Sequence, residues 1–432
     1  MGIIIFLTGL LIEIALLIYC VISQSQQQKV KGIIRIMTLV LFAILIPLQV
    51  IQWSFRYYFI TVFLFAMGLR GLVTISRKSG IKGSFKPSII IRNTIVRVIF
   101  FFIATLPAIL FPQYDILPTT GSYEVSTVQY IYIDENRVET FTETGDNRKL
   151  NVGFWYPENG EGTYPLIIFS HGGISTKTSN ESLYNELASH GYIVASIDHT
   201  YHSLFTTDDG KAILIDRNYM KELNVEDAKA NPQQSHEYYQ KWMNVRTGDI
   251  NFVIDYIISK ATGTQDEAIY ELVDIENIGV MGHSLGGSAA LAIGRTRTDI
   301  KAVIALESPF MGDILGVKDG QFVFTDDIYP IPVLNIYSDS SWNHLEKWPQ
   351  YKQNYNLLSE TDGVAYNIYI SGAGHFTLSD LGLLSPILSR VLNGFKSTTD
   401  VKYVLEIINE VSLEFFNSYL KGQGEFDLGG SY

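Results

Sequence analysis

The pattern of apolar and polar positions divides the chain into two unlike parts. Over the first 112 residues four apolar runs follow one another: 2–22, 36–53, 57–75, and 98–111 with its approach from Ile95. A hydrocarbon core needs about 20 apolar residues to cross, so this part is expected to be an all-α transmembrane region of about four helices. Glu13, Pro47, Arg70 and Arg97 are the main interruptions. Pro47 is tolerable as a kink in a membrane helix. Glu13 is expected to be protonated or to snorkel toward the surface. Ser54, Phe55 and Arg56 are nearly all that separates the second run from the third, as in a tight membrane hairpin.

Beyond residue 113 the period changes. A linker over 113–123 precedes runs 128–133, 137–142 and 150–155, whose alternation predicts half-buried strands. Continuous apolar runs at 166–169, 192–197, 278–281, 302–306 and 333–336, with 366–370 after them, predict strands buried on both faces. Helical periods over 182–190, 237–260, 285–294 and 402–420 alternate with them, the first preceded by Asn180 as a cap. Such β–α alternation predicts an α/β unit over 124–421, a mostly parallel sheet with helices on both faces and an antiparallel edge made by its first strands. Residues 203–234 are too long for an ordinary connection and read as a lid or cap, and 422–432 as a frayed tail.

Charge sharpens the division. The first 112 residues hold eleven Lys and Arg against Glu13 alone, whereas the remainder is near −22 within a total of −12. That acidity excludes a nucleic-acid surface. The single cysteine, Cys20, excludes an intramolecular disulfide. Lys29, Lys31 and Arg35 follow the first apolar run, and Arg77, Lys78, Lys82, Lys86 and Arg92 follow the third. The basic-loop rule assigns both to the cytoplasm, so the chain is expected in the cell membrane as a multi-pass protein with its α/β unit outside. The first run lacks the basic start and small-residue cleavage site of a signal peptide, and Tyr19 before Cys20 is too large for lipid processing.

Chemistry concentrates at Gly282-His283-Ser284-Leu285-Gly286-Gly287, between a predicted buried strand and an apolar helix. This is the nucleophile elbow G-x-S-x-G in its required context. Glycines two before and two after the serine let strand and helix approach, and the helix N-terminus turns free N–H groups toward an anion. A serine nucleophile needs a base. Of the two later histidines, His344 and His375, His375 lies in a glycine-flanked loop after the last strand, where the base belongs. Two strand-end carboxylates, Glu307 and Asp339, could orient it. The N–H groups of Leu285 and of Gly173, or else Gly172, in Ser170-His171-Gly172-Gly173 are the candidate oxyanion donors. His199 and His202 lack a third metal ligand and read as pocket-rim residues, and Arg246 with Asp249 as a structural ion pair. The aromatic stretch from Tyr201 to Phe205 is a candidate acyl-chain contact.

Residues 169–173, the Ala188-Ser189-His190-Gly191-Tyr192 segment and residues 280–287 resemble the plasma-type platelet-activating-factor acetylhydrolase family over roughly 150–420. The Ala-Ser-His-Gly-Tyr piece is also similar to cutinase-like polyester hydrolases and dienelactone-hydrolase relatives. The resemblance implies an α/β-hydrolase fold, a serine esterase without cofactor or metal, and an ester or lipid substrate. In the acetylhydrolase pattern the acid follows Ala-Leu at the strand after the nucleophile helix, which matches Glu307 with Glu in place of Asp. The cutinase-like pattern matches Asp339 instead. The rival expectations are a general carboxylesterase or polyester hydrolase, and an inactive scaffold serving as a membrane receptor or partner protein.

Overall fold

The computed structural model describes residues 1–76, 85–263, 267–358 and 365–432. Two compact units emerge, Met1–Asp115 with Leu383–Leu388, and Ile116–Gly382 with Ser389–Tyr432.

The first unit contains helices α1 (Gly2–Ile22), α2 (Gln28–Leu45), α3 (Tyr58–Ser76) and α4 (Pro87–Leu110). Among the described residues, three helical stretches are long and apolar enough to cross a membrane: Gly2–Ile22, Phe55–Ser76 and Pro87–Leu110. Helix α2 differs from the expected 36–53. It starts earlier, so Lys29, Lys31 and Arg35 lie within it, and it ends before Pro47. A proline removes one helical hydrogen bond and crowds the preceding turn, and residues 46–50 form turns instead. Arg77, Lys78 and Lys82 fall outside the described residues. Glu13 does not snorkel: it pairs with Arg97 of α4 at 3.0 Å. Helices α2 and α3 approach at Gly32 and Gly71, where a Cβ on Gly71 would stand 2.6 Å from the Gly32 oxygen. Small residues permit such contact between apolar helices.

The strands of the second unit are β1 (Val125–Val138), β2 (Asn147–Pro157), β3 (Tyr164–Ser170), β4 (Ile193–Asp198), β5 (Phe205–Asp208), β6 (Lys211–Leu214) and β7 (Val273–His283). They continue with β8 (Ile300–Leu306), β9 (Ile314–Lys318), β10 (Gln321–Phe324), β11 (Val333–Ser338), β12 (Ala365–Ile370) and β13 (Gly430–Ser431). Nine of them form one sheet in the order β1-β2-β4-β3-β7-β8-β11-β12-β13. β2 is antiparallel to both its neighbours, β1 and β4, and the strands from β4 to β13 run parallel to one another. Helices Pro232–Thr262 and Leu285–Thr296 pack together, and Glu181–Ser189 packs with Val401–Lys421. The central strands carry fully buried Val, Ile and Leu, as sheet covered on both faces requires.

Three expectations change. The runs 128–133 and 137–142 are not two strands but one long β1, with a register shift between Asp134 and Val138. Within the 113–123 segment, Thr120 N–H donates to Glu186 at 2.9 Å, and Tyr123 N–H to the Ser189 carbonyl at 3.0 Å. Asn180 stands at the N-cap of its helix, but its side chain makes no capping bond; its amide donates instead to the Leu378 carbonyl at 2.8 Å. The tail is not frayed: Phe426 is buried against Tyr366 and Phe415, and β13 pairs with β12. Residues 203–234 fold as the β5–β6 hairpin, helix Arg217–Val225 and the start of the long helix.

Candidate active site

The parallel strands β3, β7 and β8 end level with one another, Ser170 opposite Gly282 and Gly282 opposite Ala305. The chain reverses into helix Leu285–Thr296 at Ser284, which adopts φ 56° and ψ −125°. A non-glycine residue at positive φ is strained and needs external support. Support comes from the Ser284 N–H, which donates to the Leu306 carbonyl at 2.8 Å. Glycine is obligatory on both sides. A Cβ on Gly282 would stand 2.4 Å from the Gly286 carbonyl carbon, and one on Gly286 1.9 Å from the Ser170 oxygen.

A cavity of about 600 Å³ opens at these strand ends. Ser284, Leu285, Gly173, Glu307, Asp339 and His375 all line it, so the topology brings most of the sequence-derived site residues together. Leu285 opens its helix, and the first N–H groups of a helix have no intrahelical partner. Gly172 lies beside Ser284 without lining the cavity; its Cβ would stand 3.6 Å from Ser284 Cβ.

His375 begins a short turn after β12, and its N–H donates to Ser340 Oγ at 2.9 Å. Its carbonyl lies 3.0 Å from His283 Nε2, and the two rings stand 4.6 Å apart. Burial, then the neighbouring His283, hold the His375 imidazole well below its ordinary value. Burial lowers His283 to about 4.

The two carboxylates are held differently. Glu307 is 1% exposed, at φ 52°. Its Oε2 accepts from the Ser338 N–H at 2.6 Å, while Oε1 is buried with no hydrogen-bond partner among the described residues. Burial raises this carboxyl to about 7, against the opposing pull of the neighbouring Ser341 and Ser338. Asp339 Oδ1 accepts from the Tyr369 hydroxyl at 2.6 Å and the Gly372 N–H at 3.1 Å. Among the described residues, neither carboxylate bonds the His375 ring.

Other site residues depart from expectation. His199 and His202 do not lie on the rim; both are fully buried. Arg246 and Asp249 do not pair: Arg246 donates to backbone carbonyls, and Asp249 binds Arg148, Arg137 and His199. His344 stacks on Trp348 and lines the cavity too. Tyr239 and Trp242 of the long helix form wall that sequence reasoning missed, as does Trp348. Their signal was the apolar face at 239, 242, 243 and 250, indistinguishable from ordinary core spacing.

The family model described as platelet-activating factor acetylhydrolase, isoform II, matches residues 149–431, most of the chain. The chain belongs to the platelet-activating factor acetylhydrolase isoform II family. All the candidate residues from Ser170 to His375 lie inside the matched segment. The platelet-activating factor acetylhydrolase of Canis lupus familiaris is 24% identical over 279 residues, covering 61% of this chain and 59% of its own. The chain thus spans about three-fifths of that relative's length. Cutinase est2 of Thermobifida alba is 28% identical over 174 residues, 40% of this chain and 43% of its own. A solved ferulic acid esterase from Streptomyces cinnamoneus shares the fold, with TM-score 0.55 and 20% identity over 73% of this chain and 96% of its own. The acetylhydrolase-family membership and the α/β-hydrolase fold agree with the strand order and the elbow.

Proposed function

We propose that the α/β unit is a serine ester hydrolase and that the apolar helices tether it to a membrane as a multi-pass anchor, with the catalytic unit outside the cytoplasm. The observation that carries the reading is the strained Ser284 at the head of a helix, sharing one cavity with His375 and with Gly173 and Leu285. Family membership supports ester chemistry, since the matching proteins are named acetylhydrolase and cutinase.

In this mechanism Ser284 Oγ attacks the ester carbonyl carbon while His375 takes the serine proton. The N–H groups of Leu285 and Gly173 stabilise the tetrahedral oxyanion. Collapse breaks the bond to the alcohol, which leaves with the proton from His375. Water, deprotonated by the same imidazole, then releases the acyl group and restores the serine. A neutral His375 suits a base, and its depressed proton affinity keeps it neutral near pH 7. Glu307 is the acid we favour, because its bare Oε1 gains a partner if the imidazolium turns toward it. Asp339 is the alternative, although Tyr369 and Gly372 already occupy one of its oxygens. No cofactor enters these steps.

Lipid esters are the substrate class we favour. The reasons are the tether and a cavity walled by Leu223, Met311, Trp348, Phe376 and Phe395, apolar surface that can receive an acyl chain. The segment 203–234 contributes Leu223 and Glu226 to that wall and serves as the cap. The test is fluorophosphonate labelling of the purified full-length chain, followed by an ester panel of short acyl esters, phospholipids and polyesters. Ser284→Ala should lose both labelling and hydrolysis with its fold intact; full activity in that variant would refute the mechanism. Absence of labelling in the folded wild-type chain would favour the scaffold reading, and labelling without turnover on any ester would point to a peptidase or acyltransferase on the same fold.

A further inference from the structure

Behind the Ser170–Gly173 turn lies a set of buried polar side chains that the steps above do not use. Arg246 projects from helix Pro232–Thr262 and is 0% exposed. Its Nη1 donates to the His171 carbonyl, and its Nη2 to the Gly172 carbonyl at 3.1 Å. The next carbonyl, of Gly173, accepts from the Tyr219 hydroxyl at 3.1 Å. Three successive carbonyls of one turn are therefore held from the same set of donors. Tyr219 is itself stacked on His202, with ring centroids 3.7 Å apart.

A second layer holds the start of the turn. Ser170 Oγ lies 2.8 Å from His199 Nε2, and His199 Nδ1 lies 2.9 Å from Asp249 Oδ2. Arg148 grips Asp249 through two bonds of 2.6 Å and 2.7 Å. The atom order is that of a Ser–His–Asp triad, yet Ser170, His199 and Asp249 are all 0% exposed and no substrate can reach them. Burial lowers His199 to about 4. The neutral ring then donates from Nδ1 to the carboxylate and accepts the Ser170 hydroxyl proton at Nε2.

A trans peptide group points its carbonyl and the following N–H in opposite directions. Fixing the His171 and Gly172 oxygens on Arg246 therefore turns the Gly172 and Gly173 N–H groups away from it. Gly173 lines the cavity with Ser284, and Gly172 lies beside Ser284. The guanidinium charge sits at the oxygen end of both peptide groups, so it draws electron density toward those oxygens and makes the opposite N–H groups better donors. In a water-excluded interior this polarisation is weakly screened. A neutral amide could satisfy the same carbonyls; a planar cation reaching two of them at once adds field as well as geometry.

We propose that Arg246, assisted by Tyr219, is the positioning residue of the oxyanion hole, locked in place by the buried Ser170–His199–Asp249–Arg148 relay. The proposal rests on the acyl-enzyme reading given above. It assigns these residues to the transition state and leaves ground-state binding alone, which separates it from a purely structural role.

The test uses the full-length chain in detergent, with an ester that wild type hydrolyses. Arg246→Met should lower kcat by roughly a hundredfold, on the scale of a lost oxyanion donor, with KM within about twofold. Fluorophosphonate inactivation should slow in parallel, because its phosphonyl oxygen uses the same hole. Arg246→Lys, which keeps the charge and can reach one carbonyl, should recover part of kcat at unchanged KM. Wild-type kcat in folded Arg246→Met, or a deficit confined to melting temperature and KM, overturns the proposal. If Arg246→Met does not fold, Arg246→Lys and Tyr219→Phe decide by the same split between kcat and KM. Failure of the underlying reading has a different signature: Ser284→Ala would then hydrolyse the ester as fast as wild type, and both proposals fall.

Discussion

Glu307→Gln should make the protein inactive and, at alkaline pH, more stable. The carboxyl is raised from 4.5 to about 7 by burial. Each pKa unit corresponds to about 1.4 kcal/mol, so carrying the ionised carboxylate costs the fold about 3 kcal/mol. The folded state binds the extra proton between pH 4.5 and about 7. Wild-type stability from this group is therefore complete below 4.5, falls as pH rises toward 7, and is flat above. Glutamine resembles the protonated acid, and its amide oxygen can still accept from the Ser338 N–H. The variant should match wild type near pH 4 and exceed it by about 3 kcal/mol at pH 8. For a unit of this size that is roughly 5–10 °C in Tm. Turnover should fall by three to four orders of magnitude, the scale expected when a triad acid becomes an amide. Wild-type kcat should itself rise through about pH 7 as Glu307 ionises. Thermal melts from pH 4 to 8.5, with kcat and KM for the same preparations, read both effects. A Tm difference that does not change with pH refutes the burial argument. Near-normal kcat in Glu307→Gln with an inactive Asp339→Asn moves the acid to Asp339.

Asp339→Asn retains an acceptor for Tyr369 and Gly372, so its stability should drop by no more than about 1 kcal/mol and its kcat should stay within a few-fold in the same assays. Gly286→Ala puts a methyl 1.9 Å from the Ser170 oxygen; backbone must move, so melting should fall by more than the 1–3 kcal/mol of ordinary overpacking, and fluorophosphonate labelling should be lost. A reporter fused after Tyr114 should be found outside the cytoplasm and one fused within 79–86 inside, by the basic-loop rule; the opposite pattern reverses the topology.

What the sequence made legible was whatever depends on neighbours along the chain. The strand–turn–helix around Ser284 is forced by glycines two residues either side, and that constraint is local. The β–α alternation likewise fixed which loops meet at the strand ends, which is why His375, distant in sequence, lines the same cavity as Ser284. Partner choice was illegible. Arg246 and Asp249 stand at helical i,i+3 spacing, where an ion pair is worth only about 0.2–0.5 kcal/mol. Buried carbonyls and a buried arginine offered each of them a stronger partner from another element. The α2 boundaries were misread for a related reason: apolar composition continues past Leu45, but Pro47 ends the hydrogen-bonded ladder. Tyr239 and Trp242 were hidden because cavity wall and core share one periodicity.

The strain at this site spans adjacent strands. Ser284 at φ 56° follows β7, and Glu307 at φ 52° follows β8. Each such conformation costs about 1–3 kcal/mol and persists only where surroundings over-determine it. Each is tied to the next strand in the sheet: Ser284 N–H to Leu306 O at 2.8 Å, and Glu307 N–H to Ile336 O at 2.7 Å. The ladder thus continues one residue past the strand end, while the turned backbone redirects the side chain to the cavity. Glu307 then reaches across to the last residue of β11, where Oε2 takes the Ser338 N–H. This bond anchors one oxygen in the sheet, and among the described residues the other has no hydrogen-bond partner. An anchored carboxylate has its orientation set before any histidine approaches. The cost of holding it there is the burial that raises its proton affinity. Preorganisation and destabilisation of the resting charge are in this sense one feature, and the cooperative sheet bears both.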